Sequence, residues 1–191
     1  MSYAVYKTKG FISGGRDQDE TTRSIEIFTE DFGFLRVKAL GIRKMGSKLR
    51  AHLRTFAKVE VSLVRGRGDW RLVGAEEYSP PPPHHESQIF ARAIALVTRL
   101  APVEGSEKEL FSELDSFRSA VGLTKEEYLP DLERIFALRT FSLLGYLASL
   151  PESVQFIYKD RGYSTTALSA SREHRSMLAL NLRQAMQASG L

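Results

Sequence analysis

Apolar and polar residues alternate over much of the first 78 residues of the chain. A period of two places successive side chains on opposite faces of a β-strand. Leu35, Val37 and Ala39 share one such face, and Arg36 and Lys38 lie on the other. The pattern therefore predicts five short strands in this part of the chain. The five runs with strand character are residues 3–13, 23–29, 33–41, 55–64 and 70–78.

The connections between these runs predict a barrel. A glycine-rich segment, RGRGD, joins the fourth and fifth runs as a hairpin, whereas the connection between the third and fourth runs is long. Within it, Leu49, Leu53 and Phe56 have near-helical spacing, which predicts a short helix seated on the barrel. Closure removes the exposed edges that an open sheet would have. An OB-fold barrel fits the strand count and the place of the long connection, and an SH3-like barrel is the alternative.

A run of four prolines, residues 80–83, follows the last predicted strand. Proline cannot continue a central strand and favours extended polyproline geometry. We therefore predict a multi-domain chain in which an N-terminal OB-fold β-barrel is followed by an α-helical bundle domain. The predicted boundaries are residues 1–79 for the barrel domain, 80–86 for a proline-rich linker and 87–191 for the helical domain.

The apolar period changes to that of a helix after the prolines. Residues 87–101 predict a first helix, and a capping box at Ser106–Glu109 predicts the start of a second. A further capping box at Thr124–Glu127 predicts an apolar helix running to about Leu150, with Pro130 near its start. Residues 151–169 are predicted to be a connector with some strand character. Residues 171–188 predict a last amphipathic helix.

Composition narrows the possible chemistry. The 191 residues contain no cysteine, which excludes disulfides, thiolate zinc sites and a catalytic cysteine. No apolar run approaches the roughly 20 residues needed to cross a bilayer. The N-terminal sequence MSYAVYKTKGF lacks the apolar segment of a signal peptide. We therefore expect a cytoplasmic protein with no membrane partner.

Charge is distributed unevenly along the chain. Residues 36–71 contain eleven Lys and Arg but only two acids, Glu60 and Asp69, for a net charge of +9. The other 16 basic and 21 acidic residues leave the remainder at −5. A merely solvated surface usually mixes both signs, so the segregation favours a polyanionic partner.

A positive barrel with aromatic residues is typical of oligonucleotide binding, because cations neutralise phosphates and aromatic rings stack on bases. Most of the aromatic residues are expected in the core, with Trp70 and Phe34 as candidates for base stacking. The predicted nucleic-acid contacts are Arg36, Lys38, Arg43, Lys44, Lys48, Arg50, Arg54, Arg65, Arg67, Arg71 and Trp70.

Other polar clusters in the sequence are explained without a functional site. The carboxylates of Asp17, Asp19 and Glu20 could bind Mg²⁺. A single acidic loop is more typical of a solvated turn. Adjacent His84 and His85 lack the spacing of metal ligands and are expected at the surface. The tripeptide 67–69 is expected to be a hairpin turn. The sequence thus predicts no catalytic residue, no metal site and no cofactor.

Arg139 lies in the most apolar predicted helix, where a buried guanidinium needs an anionic partner. One interpretation is that it extends to the surface or pairs with a nearby acid such as Glu133 or Glu152. The other is that it binds an acidic tail of a protein partner beside an apolar pocket.

Two stretches carry a resemblance to a known family. IEIFTEDFGFLRVKALGIRK followed by LVRGRGDWRLVGAEE resembles the N-terminal barrel of the bacterial recombination mediator protein O family (RecO), and ALRTFSLLGYLASLP resembles that family's helix ending in leucine–glycine–tyrosine and then proline. The resemblance covers the first 80 residues and residues 131–151. Many family members have a four-cysteine zinc site after this helix. The present chain has no cysteine, so zinc is not carried over, and its C-terminal half is short.

The resemblance implies a non-catalytic protein of DNA repair, located in the bacterial cytoplasm at the nucleoid. Such a protein binds single- and double-stranded DNA, anneals complementary strands and helps to load recombinase. The implied protein partners are the single-strand DNA-binding protein and the recombination mediator RecR. An RNA-binding or ribosome-associated OB-fold module is the alternative, because the same cations and aromatic rings serve either nucleic acid.

Overall fold

A computed structural model describes residues 4–42, 48–66, 68–102, 104–160 and 162–191 of the chain, with Lys48, Arg50 and His85 described by their backbone alone. The chain divides into two compact units. The barrel unit comprises Met1–Ser87 together with Ala101–Phe111, and the helical unit comprises Gln88–Leu100 together with Ser112–Leu191. The assignment of Ala101–Phe111 to the barrel unit was not expected from the sequence. The predicted linker boundaries stay a prediction.

The barrel unit contains the five predicted strands. They are β1 (Val5–Asp17), β2 (Arg23–Thr29), β3 (Gly33–Ala39), β4 (Lys58–Arg65) and β5 (Trp70–Ser79), with helix α1 (Lys48–His52) in the long connection between β3 and β4. The strands close in the order β1-β2-β3-β5-β4, and β3 and β5 form the parallel pair. This is the OB-fold arrangement, and it excludes the SH3-like alternative.

The apolar side chains of the alternating pattern fill the barrel interior. Alternate residues of β3 and β4 are buried in one hydrophobic cluster, and the short helix adds to it, because Leu53 is buried there and Leu49 packs against it. The predicted short helix is therefore confirmed. Phe11 and Phe28, which are direct partners across β1 and β2, are also buried, but they are not members of this interior cluster.

The 101–111 segment covers these two aromatic rings. The ring of Phe111 lies 5.3 Å from that of Phe11 and 6.0 Å from that of Phe28. Gly33 has a left-handed φ of 65°, and a Cβ at this position would lie 2.1 Å from the carbonyl oxygen of Gly105. Only glycine therefore allows β3 to begin against this segment.

The helical unit is built around α4 (Leu129–Leu143). The other helical elements after the strands are α2 (His84–Leu100), α3 (Lys108–Val121), a 3₁₀ turn (Glu126–Tyr128), α5 (Glu152–Lys159), α6 (Thr165–Glu173) and α7 (Arg175–Ser189), and the first residues of α2 and α3 belong to the barrel unit. The interior of α4 is apolar as predicted, with Leu132, Ile135 and Phe136 buried. Pro130 lies in its first turn, where the missing N–H is tolerated.

Three predictions about helix boundaries and caps in the helical unit are wrong. The capping box at Thr124–Glu127 does not form, because the Thr124 hydroxyl instead donates to the carbonyl of Ala120, 2.7 Å away. The apolar helix ends at Leu143 rather than near Leu150. Gly145, two residues after this end, takes a left-handed φ of 77°. The last helix is two helices, α6 and α7, which meet at His174.

The predicted connector at 151–169 is also wrong, because it forms α5 and the start of α6. Val154, Ile157 and Tyr158 have helical spacing and are all buried. Ser164 caps α6 by accepting a hydrogen bond from the backbone N–H of Ala167 at 3.2 Å. The β-branched and aromatic side chains of Val154, Ile157 and Tyr158 suggested a strand, but burial against the other helices decides the conformation.

Candidate nucleic-acid interface

A row of polar residues crosses four strands of the barrel on its outer face. Arg16 on β1 is paired with Ser24 on β2, Ser24 is paired with Lys38 on β3, and Lys38 is paired with Arg71 on β5. Arg16 and Arg71 are exposed, whereas Ser24 at the centre is buried. OB-folds bind oligonucleotides on the face of strands 2 and 3 and on the adjoining loops. The row lies on this face, and Arg16 is a cation that the sequence analysis did not select.

Four of the predicted nucleic-acid contacts form ion pairs within the barrel unit. Their side chains are 40–58% exposed, and each donates to a carboxylate. The pairs are Arg36–Glu26 at 2.9 Å, Lys38–Asp69 at 2.7 Å, Arg54–Glu77 at 2.6 Å and Arg65–Glu104 at 2.8 Å. Ion pairs between solvent-exposed side chains contribute little to stability, so an incoming phosphate can replace the carboxylate at small cost.

The pair between Lys38 and Asp69 lies beside the β4–β5 hairpin. The hydrogen bond and positive charge of Lys38 hold the pKa of the Asp69 carboxyl below its usual value, and the charge of Arg71 adds to this effect. Gly66 N–H donates to the carbonyl of Asp69 at 2.8 Å and closes the hairpin, and Arg67 of the predicted turn lies outside the described residues. The hairpin therefore carries an anion between two cations of the interface.

Arg54 lies away from the cationic row that contains Lys38 and Arg71. Its partner, Glu77, lies six residues beyond Arg71 on β5, a distance of about 20 Å along a strand. Arg36, by contrast, is two residues from Lys38 on the same face of β3. Arg43, Lys44 and Arg67, and the side chains of Lys48 and Arg50, lie outside the described residues, so their roles stay predictions.

Trp70 is buried rather than displayed to solvent. It is 5% exposed and belongs to the interior cluster, with its ring 5.5 Å from that of Tyr6 and 5.3 Å from that of Phe32. Its indole N–H donates to the Glu104 carboxylate at 3.2 Å. Burial therefore leaves little of the ring for a base in this conformation, and Phe34, the second stacking candidate, is half-buried.

Tyr78 is an aromatic residue that the sequence analysis missed. Its side chain is 64% exposed near the end of β5, and the ammonium groups of Lys9 and Lys58 lie 5.4 and 5.7 Å from the ring centre. The signal was available in the sequence, because Tyr78 follows Glu76 and Glu77 at the polar end of the last strand. An exposed ring between two cations has the character of a base-stacking position, and Tyr78 lies next to Glu77, more than about 20 Å along β5 from Arg71 of the cationic row.

Arg139 is buried in the helical unit and has internal partners. It is 5% exposed, donates to the Glu113 carboxylate at 3.2 Å and to the Asp160 carbonyl at 2.6 Å, and also donates to the Gly162 carbonyl. The acid that it pairs with is Glu113, not Glu133 or Glu152. Glu133 pairs with Arg92 at 2.5 Å. This geometry does not favour the predicted contact with an acidic tail of a protein partner.

Tyr163 completes this buried cluster. Its hydroxyl donates to Glu113, and the Arg139 guanidinium lies 4.4 Å from the centre of its ring. Burial and the charge of Glu113 raise the pKa of the Tyr163 hydroxyl far above its usual value, so the group stays protonated and keeps donating. The cluster is a structural element that ties α3 and α4 to the loop before α6.

The acidic segment turns as predicted after Asp17, which is the last residue of β1. The Asp19 carboxylate accepts hydrogen bonds from the backbone N–H groups of Thr21 and Thr22 at 2.8 and 2.7 Å, which hold its pKa below the usual value. Among the residues that the structure describes, no group of three His, Asp or Glu could hold a metal ion. None of the helices in these described ranges combines the length and the hydropathy that a membrane span requires.

Comparisons with known proteins agree with the geometry of the barrel. A family model described as "Recombination protein O N terminal" matches residues 1–76. A protein named "DNA repair protein RecO" from Geobacter metallireducens is 28% identical over 148 residues, which cover 75% of this chain and 60% of the relative. One of the same name from Yersinia pestis is 31% identical over 155 residues, covering 78% and 60%. The chain thus spans about 60% of the length of these relatives.

A solved structure of an asparaginyl-tRNA synthetase from Entamoeba histolytica also aligns with the chain. The match covers 79% of this chain and 35% of the synthetase, at 10% identity and a TM-score of 0.37. Similarity at this level carries no argument about function.

Proposed function

We propose that this chain, whose residues 1–76 match the family model of the RecO N-terminal domain and which is similar to proteins named DNA repair protein RecO, is a non-catalytic nucleic-acid-binding protein of DNA repair and homologous recombination. The barrel unit is the proposed binding platform, and single- and double-stranded DNA are the proposed ligands. Strand annealing and help in loading recombinase are the proposed activities, carried out in the bacterial cytoplasm at the nucleoid.

The observation that carries this proposal is the cationic row of Arg16, Lys38 and Arg71 on the outer face of an OB barrel. Phosphate neutralisation needs several cations on one surface, and their placement can vary. Strand pairing supplies this surface here, because three residues far apart in sequence become direct or next neighbours across four strands. The adjoining hairpin lies where OB-folds have one of their ligand-binding loops.

The proposed protein partners are the single-strand DNA-binding protein and the mediator RecR. They follow from the family resemblance, and no contact surface for either is assigned. Annealing of complementary strands, measured with and without the cognate single-strand DNA-binding protein, tests the activity and this partnership together. We expect faster annealing with the chain present and a further change when the binding protein coats the strands.

A competition assay separates DNA from RNA as the ligand. The chain is titrated into labelled single-stranded DNA, and unlabelled DNA or RNA of the same sequence is added as competitor. The proposal expects DNA to compete at least as well as RNA. A strong preference for RNA would instead support the RNA-binding alternative, and cleavage of the DNA in the presence of Mg²⁺ or Mn²⁺ would contradict a non-catalytic role.

Replacing Tyr78 by alanine is expected to weaken binding of single-stranded DNA by about tenfold, since stacking is worth roughly 1–3 kcal/mol per base. Binding of duplex DNA should change little, because its bases are already stacked. Fluorescence anisotropy with both DNA forms measures the effect. Tyr78→Phe is the matched control, since it keeps the ring and should bind like the original chain. Equal losses for single- and double-stranded DNA would argue against a stacking role.

A further inference from the structure

Glu104 forms an unusual bridge between two residues of the β4–β5 hairpin. One oxygen of its carboxylate accepts a hydrogen bond from the Arg65 guanidinium at 2.8 Å, and the other accepts one from the Trp70 indole N–H at 3.2 Å. Arg65 and Trp70 are direct partners across β4 and β5, and the guanidinium also lies 5.3 Å from the centre of the indole ring. Two donors therefore converge on one anion.

This arrangement suits a phosphate as well as it suits a carboxylate. Both anions present two oxygens to N–H donors, and the planar guanidinium of arginine binds either of them with parallel hydrogen bonds. The bridge is also open to solvent, because the Glu104 side chain is 41% exposed and that of Arg65 is 58% exposed. An external anion can reach Arg65 while Glu104 is still in place.

The backbone at Glu104 is held in a disfavoured conformation. Its φ is 58°, in the left-handed region that non-glycine residues seldom occupy. The residues around it anchor the segment independently of the carboxylate. Phe111 packs on Phe11 and Phe28, the Gly105 carbonyl lies against Gly33, and the Lys108 ammonium is 3.5 Å from Asp31. Release of the Glu104 carboxylate therefore leaves the attachment of the 101–111 segment intact.

We propose that Arg65 and Trp70 form a phosphate subsite that Glu104 fills in the free protein and that a nucleic-acid phosphate fills in the complex. The inference rests on the proposed function and deepens it. The subsite lies at the same end of β5 as Lys38 and Arg71 of the cationic row, although Trp70 points to the barrel interior and Arg71 to the outer face. Trp70 acts here as a hydrogen-bond donor through its ring nitrogen, and its buried ring fixes the position of that donor.

Neutralising the competing carboxylate tests the proposal. Glu104→Gln keeps the size of the side chain and removes its charge, so it should strengthen binding of single-stranded DNA by about three- to tenfold. The slope of log K against log[salt] should become steeper by about 0.7, because one further cation is available to a phosphate. Glu109→Gln is the matched control. Glu109 is exposed in the same segment, and its substitution makes the same change in net charge.

A second substitution locates the effect. In an Arg65→Ala background, Glu104→Gln should give no gain in affinity, because the cation that it frees is missing. A gain equal to that seen with Arg65 present would show that the glutamate acts through the overall field of the protein, and it would overturn the subsite.

Fluorescence provides a measurement that needs no variant. Trp70 is the only tryptophan of the chain, so its emission reports on this position alone. Saturating single-stranded DNA should shift or quench that emission as the phosphate replaces the carboxylate.

The outcomes separate the inference from the proposed function. If the original chain binds DNA but Glu104→Gln matches Glu109→Gln, or the emission of Trp70 is unchanged at saturation, the subsite is wrong while the function stands. If the original chain does not bind DNA at all, both fail.

Discussion

Replacing Lys38 and Arg71 together by glutamate is expected to weaken binding of single-stranded DNA by about 100-fold. The two residues are direct partners across β3 and β5, so both changes fall on one part of the outer face. Hydrogen bonds to charged groups are worth about 1.5–3 kcal/mol each. The loss of two of them is about 3 kcal/mol or more, and each 1.4 kcal/mol or so corresponds to tenfold in affinity. The two new negative charges add repulsion to this loss.

Anisotropy titrations at several salt concentrations measure both the affinity and its slope. Removing two phosphate contacts should make the slope of log K against log[salt] shallower by about 1.4 for a single strand. The control variant is Arg99→Glu with Arg175→Glu, which changes the net charge equally at exposed positions of the helical unit. If the two double variants lose the same affinity, the effect belongs to net charge and not to the outer face of the barrel.

Replacing Arg139 by methionine is expected to lower the free energy of unfolding by about 3–5 kcal/mol, the usual result of removing one partner of a buried ion pair. The substitution leaves the Glu113 carboxylate, which is itself largely buried, without its cation. It also removes the donors to the carbonyls of Asp160 and Gly162. The helical fold should survive, but with much less resistance to denaturant.

Urea unfolding followed by far-ultraviolet circular dichroism measures this loss. For a slope of about 1–3 kcal/mol per molar urea, the midpoint should fall by more than about 1 M. Arg99→Met is the control, since Arg99 is exposed on α2 and its loss should leave the midpoint nearly unchanged. Arg139→Lys should restore only part of the stability, because an ammonium cannot reproduce the planar fork of the guanidinium. An unchanged midpoint for Arg139→Met would contradict the structural role.

Local pattern was sufficient to find the strands of the barrel. Residues such as Leu35 and Val37 alternate with Arg36 and Lys38, and an alternation of period two predicts a β-strand. The choice between OB and SH3-like closure needed the parallel pairing of β3 with β5, which joins Val37 to Trp70. A contact between residues so far apart in sequence has no local signature.

The candidate interface was predicted in composition but not in geometry. The sequence shows the excess of cations, yet it does not show that Arg65 lies beside Glu104, 39 residues further along the chain. It favoured Trp70 as a stacking surface because tryptophan suits that role, whereas barrel closure buries the ring. Tyr78 was missed although its place after Glu76 and Glu77, at the polar end of the last strand, could be read from the sequence.

The helical unit shows how competing signals can mislead. Val154, Ile157 and Tyr158 have helical spacing, but their types favour strands, and the segment is short. Gly145 was an available stop signal for α4, since glycine accepts the left-handed conformation that ends a helix. The apolar residues after Gly145 favoured a longer helix, so its end was predicted near Leu150.

The salt dependence of single-stranded DNA binding by the unmodified chain tests the central claim most directly. If the cationic outer face of the barrel binds the phosphates, log K should fall linearly with log[salt], and four or more phosphate contacts give a slope of about −3 or steeper. The slope should be the same for oligonucleotides of different sequence, because phosphates are common to all of them. No measurable binding at low salt, or an affinity that does not change with salt, would contradict the account.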